Sequence, residues 1–259
     1  MPFEPSPQSP QCLSDFEIPI FSTWIGSWRI SIGRRAYSKK ELVGHYDKAA
    51  GAWNARLGRL GFDTAYTAML RKVLRQERYA IPLDGLRILD AGIGTGAFSS
   101  ALLDLEPSRC VLDGVDLSEQ MLCQAEQNIR DRNVDLSLKQ ADIKELPYAD
   151  AAFDIVLAAH VIEHLECPRT ALLELYRVLK PGGLLITCIT RRSTAGALVQ
   201  FVWRSHRVAR RQALQWMRET GLRSVRSIPF DKQSMMRKLS LAYVGRKSIA
   251  ESTSNSDLS

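Results

Sequence analysis

The residues with the greatest chemical potential lie in ILDAGIGTGAF, residues 88 to 98. Gly92, Gly94 and Gly96 fall where a short apolar run gives way to a helical pattern. Glycines at such a junction let the backbone turn tightly and approach a ligand closely. A helix that starts there adds free N–H groups and a partial positive charge. A phosphate or a carboxylate would suit that spot equally well, and the spacing also fits the dinucleotide form G-x-G-x-x-G/A with Ala97 last. Asp90, two residues before the first glycine, narrows the choice, because a carboxylate inside the turn would repel a pyrophosphate but tolerates a cationic amino acid. Asp116 ends the next apolar run, where a carboxylate can accept both hydroxyls of a ribose. Nicotinamide enzymes use the same device. Asp142 ends a third run, and His160 and His164 follow a fourth.

The elements that must position these groups follow from periodicity. Leu42, Tyr46, Ala49, Trp53, Leu57 and Leu60 recur at spacings of three and four and predict a helix. A second helix is predicted from Asp63 to about Arg78, before Pro82. From Leu86 onward, short apolar runs alternate with helical stretches. Strands are expected at 87–90, 110–116, 136–140, 153–158 and 184–189, and helices at 97–105, 119–130 and 168–179. This alternation predicts an α/β fold: a doubly wound, mostly parallel seven-stranded sheet with helices on both faces, plus the N-terminal helices. Two further strands, 224–229 and 239–244, follow a helix at 209–220. Their link is too short for a helical crossover, so they are expected as an antiparallel pair at one sheet edge. Residues 1–40 read as an N-terminal extension, partly disordered. Residues 41–249 read as one catalytic domain, and 250–259 as a disordered tail.

A ligand with a sulfonium, an ammonium and a carboxylate but no phosphate fits the acid-flanked turn, and S-adenosyl-L-methionine is such a ligand. The ordered set HYDKAAGAWN, LDAGIGTG, DGVDLSEQML, QADIKELPYADAAFDIV and ELYRVLKPGGLLI resembles the class I, Rossmann-like methyltransferases, in particular the quinone-biosynthesis and small-molecule group. The resemblance implies that 41–249 is the methyltransferase domain and that S-adenosyl-L-methionine is the cofactor. It implies that Gly92, Gly94 and Gly96 line the methionine and ribose, with Asp90 nearby. Asp116 would hold the ribose, Leu117 and Met121 would flank the adenine, and Asp142 would accept from its amino group with Ile143 beside it. Tyr46 would cover the cofactor. His160 would face the reactive methyl, and as a group able to titrate near neutrality it is the candidate general base. Plainer roles compete: Asp116 as a helix cap, Asp142 as a turn residue, Met121 as helix core, His164 as structural, Tyr46 and Trp53 as packing.

Composition bounds the function classes. The 259 residues carry a net charge of +7, and the excess is uneven. Between residues 191 and 249 fourteen Lys and Arg face two acids, and Arg29, Arg34, Arg35, Lys39 and Lys40 form a second cluster. Such clusters attract anions. FSTWIGSWRI and GALVQFVWRSHRVARR mix Trp, apolar residues and Arg, a mixture suited to peripheral association with an anionic membrane, to a lipophilic acceptor, or to a helix packed over the site. A protein binding membrane or nucleic acid on a cofactor-type fold, and an NAD-dependent oxidoreductase, are the alternatives. A nucleic-acid substrate is disfavoured, since AAHVIEH stands where an Asn-Pro-Pro-aromatic signature would. Five scattered cysteines without a CxxC pair predict neither a disulfide framework nor a metal site. With no secretion signal legible at the N-terminus, a cytoplasmic location is expected. The acceptor's identity and the oligomeric state are not legible.

Overall fold

The computed structural model describes residues 17–35, 37–59, 61–77, 83–105, 109–191 and 193–249. The expectation of disorder within residues 1–40, as far as it concerns 1–16, that for 250–259, and the packing role of the Trp53 side chain lie outside what is described.

Chain order begins with β1 (Glu17–Ile25) and β2 (Trp28–Arg35), then α1 (Lys39–Arg59) and α2 (Phe62–Gln76). The alternating region follows as β3 (Arg87–Ala91), α3 (Ala97–Leu103), β4 (Val111–Asp116), α4 (Glu119–Ile129), β5 (Asp135–Gln140) and β6 (Phe153–Ala159). A 3₁₀ turn (Ile162–His164) leads into α5 (Pro168–Val178) and β7 (Leu179–Thr190). The chain then forms α6 (Thr194–Trp203), α7 (Arg210–Glu219), β8 (Arg223–Ile228), the one-turn α8 (Met236–Leu239) and β9 (Ser240–Arg246).

Seven strands form one sheet in the order β5-β4-β3-β6-β7-β9-β8. β3 to β7 run parallel, and β9 is antiparallel to both β7 and β8. The expected α/β sheet with an antiparallel edge pair is therefore present. Neighbouring residues along a strand point to opposite faces, and the core divides accordingly. Ile88, Ile155 and Ile186 join the cluster that includes α2, α3 and α4, while Leu89, Val156 and Leu185 join the one that includes α5 and α7. Strands buried on both faces read as unbroken apolar runs, as FDIVLAA does.

The N-terminal hairpin was not foreseen. β1 and β2 form a separate two-stranded antiparallel hairpin with Ile25 opposite Trp28 across Gly26-Ser27. Part of the signal was present: a two-residue Gly-Ser turn, with Gly26 at φ 60°, followed by the alternating run WRISI. α6 falls in GALVQFVWRSHRVARR, for which a helix packed over the site was one of the readings, and begins at Ser193, whose side chain accepts from Gly196 N–H at 2.9 Å. Part of the basic excess is used within the fold. Glu77 pairs with Arg246 at 2.7 Å and with Arg226, tying α2 to the β8–β9 edge. Cys167 is disulfide-bonded, against the expectation of no disulfide framework. Spacing along a chain does not report which thiols a fold brings together.

Candidate active site

β3 is flanked by β4 on one side and β6 on the other, so the loops after β3 and β6 diverge over a topological switch point, where open α/β sheets place their ligands. A cavity of about 410 Å³ opens there. Gly92 and Gly94 from the β3 turn, Asp116, Leu117 and Met121 from the β4–α4 junction, Ile143 after β5, and His160 after β6 all line it, with Tyr46 from α1. Eight of the eleven residues proposed from sequence thus converge on one cavity.

The glycine turn has the backbone geometry expected of it. Gly92, Gly94 and Gly96 have φ of 78°, 54° and 80°, a left-handed region where a Cβ is strained. Their surroundings differ. A Cβ on Gly92 would meet Val161 at 2.9 Å and one on Gly96 would meet Ile129 at 2.8 Å, whereas one on Gly94 would meet nothing within 4 Å. Gly94 is the glycine open to a ligand. Gly96 does not line the cavity; it caps α3 and packs against α4.

The three acids take three positions. Asp116 lines the cavity, its Oδ2 accepting from Gly94 N–H and its Oδ1 from Ser118 N–H, both at 2.9 Å. Burial pushes its carboxyl up, opposed by these backbone donors. The capping role belongs to Ser118, which accepts from Met121 N–H at 3.1 Å, so Asp116 is not spent as a side-chain cap. Asp90, in β3 just before the turn, is 1% exposed and does not line the cavity. Ser99 donates to its Oδ2 at 2.6 Å, while Oδ1 has no hydrogen-bond partner. Burial pushes its carboxyl up to about 6. Asp142 does not line the cavity. Its Oδ1 accepts from Lys144 N–H at 3.0 Å and its Oδ2 pairs with Lys39 at 2.9 Å, which is the geometry of a turn residue.

His160 is held in a sparsely populated conformation, φ 57°, immediately after β6. Its Nδ1 lies 3.1 Å from Glu163 Oε1 and 3.2 Å from Thr190 Oγ1, and its Nε2 lies 3.3 Å from Ser240 Oγ. Glu163 is 1% exposed. Its Oε1 also accepts from Thr190 N–H at 3.0 Å and Thr190 Oγ1–H at 2.8 Å, and its Oε2 has no partner. Burial opposes charge on Glu163, but His160 and then His164 outweigh it and hold the carboxyl down at about 2. An ionised carboxylate beside Nδ1 selects the tautomer protonated there and leaves Nε2 as a base. Sequence reading missed Glu163, Thr190 and Ser240. The spacing H-x-x-E was visible, but the other two reach His160 from β7 and β9.

The roof comes from α1 and α6. Tyr46 stacks on Trp203 with ring centroids 5.2 Å apart, and its hydroxyl lies 3.2 Å from His164 Nε2. Burial, with Glu163 and Asp116 nearby, pushes the Tyr46 phenol up, and burial lowers His164 to about 4, so both are neutral at pH 7. Leu42, Val43, Phe62, Tyr66 and Leu165 complete an apolar wall.

Residues 89–187 match a family model described as a methyltransferase domain. That stretch is a class I, Rossmann-like methyltransferase domain. The matched stretch runs from β3 into β7 and contains the ends of β3, β4 and β6 that meet the cavity. The chain is 34% identical to malonyl-[acyl-carrier protein] O-methyltransferase of Enterobacter lignolyticus, over 59% of this chain and 62% of that protein. It is 31% identical to demethylmenaquinone methyltransferase of Porphyromonas gingivalis, over 63% of this chain and 61% of that protein. It thus spans about three-fifths of the length of these curated relatives. A solved Thermotoga maritima structure, a SAM-dependent methyltransferase and possible histamine N-methyltransferase, shares the fold with a TM-score of 0.61 and 20% identity, covering 78% of this chain and 98% of that one.

Proposed function

We propose that this methyltransferase chain uses S-adenosyl-L-methionine to methylate a small or lipophilic acceptor at a site whose proton must leave, a hydroxyl or an acidic carbon. The observation that carries this reading is the juxtaposition of two differently built halves in one cavity: the acid-flanked glycine turn and the Glu163–His160 pair.

The residues present suit the cofactor. The unpartnered, buried Oδ1 of Asp90 is an acceptor in want of a donor such as an amino acid ammonium. Gly94 leaves open the space a side chain would fill, and Asp116 offers a carboxylate to ribose hydroxyls. Leu117, Met121 and Ile143 give an apolar slot for a base. Asp142 would join them only by releasing Lys39. When bound, S-adenosyl-L-methionine supplies an electrophilic methyl group on a sulfonium.

The chain's own residues supply position and a base. Glu163 orients His160 and fixes its tautomer, and Nε2 takes the acceptor's proton, replacing its contact with Ser240. The Tyr46–Trp203 roof excludes water and confines the acceptor; such orientation can lower a barrier by roughly 7–11 kcal/mol in favourable cases. The apolar wall favours a lipophilic acceptor. Relatives named for demethylmenaquinone and ubiquinone biosynthesis support the same class. A neutral amine would leave the Glu163–His160 pair without a task.

The test is transfer of radiolabel from methyl-labelled cofactor into organic-extractable phenols and demethylated quinones. Label is expected in the organic phase with the wild type. His160→Ala should lose about 10²–10⁴-fold in rate while still binding S-adenosylhomocysteine. Full activity in that variant would remove His160 from the mechanism. Cofactor binding with no labelled phenol or quinone would overturn the acceptor class.

A further inference from the structure

Among the described residues, the β1–β2 hairpin carries a group of large apolar side chains that stand exposed. Trp24, Ile25, Trp28 and Ile30 are 66%, 61%, 77% and 46% exposed. Among the described residues, the two strands form a two-stranded sheet of their own. Trp24 stands opposite Arg29, and Ile25 opposite Trp28, on either side of Gly26-Ser27. Cross-strand partners share a face and adjacent residues do not. Trp24 therefore projects from one face of the tip, and Ile25, Trp28 and Ile30 from the other.

That arrangement selects the occupant. A rigid protein surface laid on one face would leave the other face's tryptophan in water. A lipid interface is fluid and can surround a projecting tip on both sides, and tryptophan is enriched at the depth of lipid headgroups. Charge points the same way. From residue 18 to residue 40 the sequence holds Arg29, Arg34, Arg35, Lys39 and Lys40 and no Asp or Glu. Basic residues beside an inserting apolar element add attraction to anionic lipid. Among the described residues, no helix is long and apolar enough to cross a membrane, so attachment through this hairpin would be peripheral.

We propose that the β1–β2 tip inserts into the headgroup region of an anionic bilayer. The hairpin leads within four residues into α1, which carries Leu42, Val43 and Tyr46 over the cavity. Docking by the tip thus holds the roof of the site near the lipid from which a lipophilic acceptor would come. This link to the acceptor rests on the function proposed above; the docking itself does not.

The experiment is flotation of the full chain with vesicles of phosphatidylcholine alone or rich in phosphatidylglycerol, at low and raised salt, with tryptophan fluorescence quenched by brominated lipid. Binding is expected on the anionic vesicles, weakened by salt, with quenching. The double variant Trp24→Ser/Trp28→Ser should lose about tenfold or more in partitioning, while its melting temperature and its stabilisation by S-adenosylhomocysteine match the wild type. The control Leu173→Ser, at an exposed position on α5, should bind vesicles normally. Vesicle binding that survives the double variant, or none by the wild type, would overturn the proposal. So would a wild-type dimer that the double variant dissolves, since the tip would then be covered by a second copy. Cofactor binding and transfer to a soluble acceptor are read without vesicles, so failure there would count against the proposed function and not against the docking.

Discussion

Two carboxylates are buried, one in β3 just before its turn and one in the turn after β6, and their surroundings push them in opposite directions. Asp90 has one hydroxyl donor and an unpartnered oxygen, and burial raises it to about 6. Glu163 has a backbone N–H, a hydroxyl and an imidazole on one oxygen, and is held at about 2. Both leave one oxygen unpartnered, yet only Glu163 has a group beside it that can carry positive charge. The comparison teaches that burial alone does not set a carboxylate's role. Asp90 is left short of donors, as suits a site completed by a cationic ligand. Glu163 is committed within the protein, as suits a group that orients another.

The sharpest way to break this division is on the Glu163 side. Glu163→Gln keeps the shape but removes the charge that selects the His160 tautomer. Methyl transfer should fall by about 10²-fold or more in kcat, with cofactor affinity within about twofold of the wild type. A loss confined to cofactor affinity would place Glu163 on the wrong side of the cavity.

The glycine turn gives the next largest effect and divides on itself. Gly94→Val would put a side chain into open space and should weaken S-adenosylhomocysteine binding by about tenfold to a hundredfold, with a modest stability loss from the left-handed φ, about 1–2 kcal/mol. Gly96→Val would drive a Cβ into Ile129 and should lower stability by more, about 2–4 kcal/mol, through overpacking added to the same φ strain. Equal effects of the two on binding and on melting temperature would erase the distinction.

The smallest effect is on the Asp90 side and has an unusual sign. Because its folded value is raised, Asp90's favourable contribution to stability is fully present below its ordinary 3.8 and is lost as pH rises through about 6. Asp90→Asn should therefore stabilise the ligand-free chain above pH 6, on the order of 1–3 kcal/mol, and gain less from S-adenosylhomocysteine. Glu163 has the opposite linkage, its contribution present above 4.5 and lost only as pH falls through about 2. Melting curves between pH 2 and pH 8 on the two single variants check both signs.

How much of this was legible in the sequence follows the same line. The cofactor half is written in backbone terms. Gly92 and Gly94 need positive φ, and Asp116 sits at a strand end, so spacing alone places them. Gly96 was read as a ligand contact but serves as a cap, since a motif does not reveal which glycine meets a neighbouring helix. Asp142 had the right position along the chain, but Lys39 comes to it from a segment about a hundred residues away. The acceptor half depends on such meetings throughout. Glu163, Thr190 and Ser240 gather around His160 from three separate elements, and Trp203 meets Tyr46 across the mouth. Periodicity found the sheet because each strand carries its own pattern; it passed over the β1–β2 hairpin, whose alternation was broken by apolar residues on both faces of the tip.

The most direct measurement is a calorimetric titration of the purified chain with S-adenosylhomocysteine, repeated on Asp116→Ala. A single saturable site is expected, weakened about tenfold or more in the variant. No heat at millimolar ligand, or binding indifferent to the loss of Asp116, would contradict the cofactor site from which the rest of the account is built.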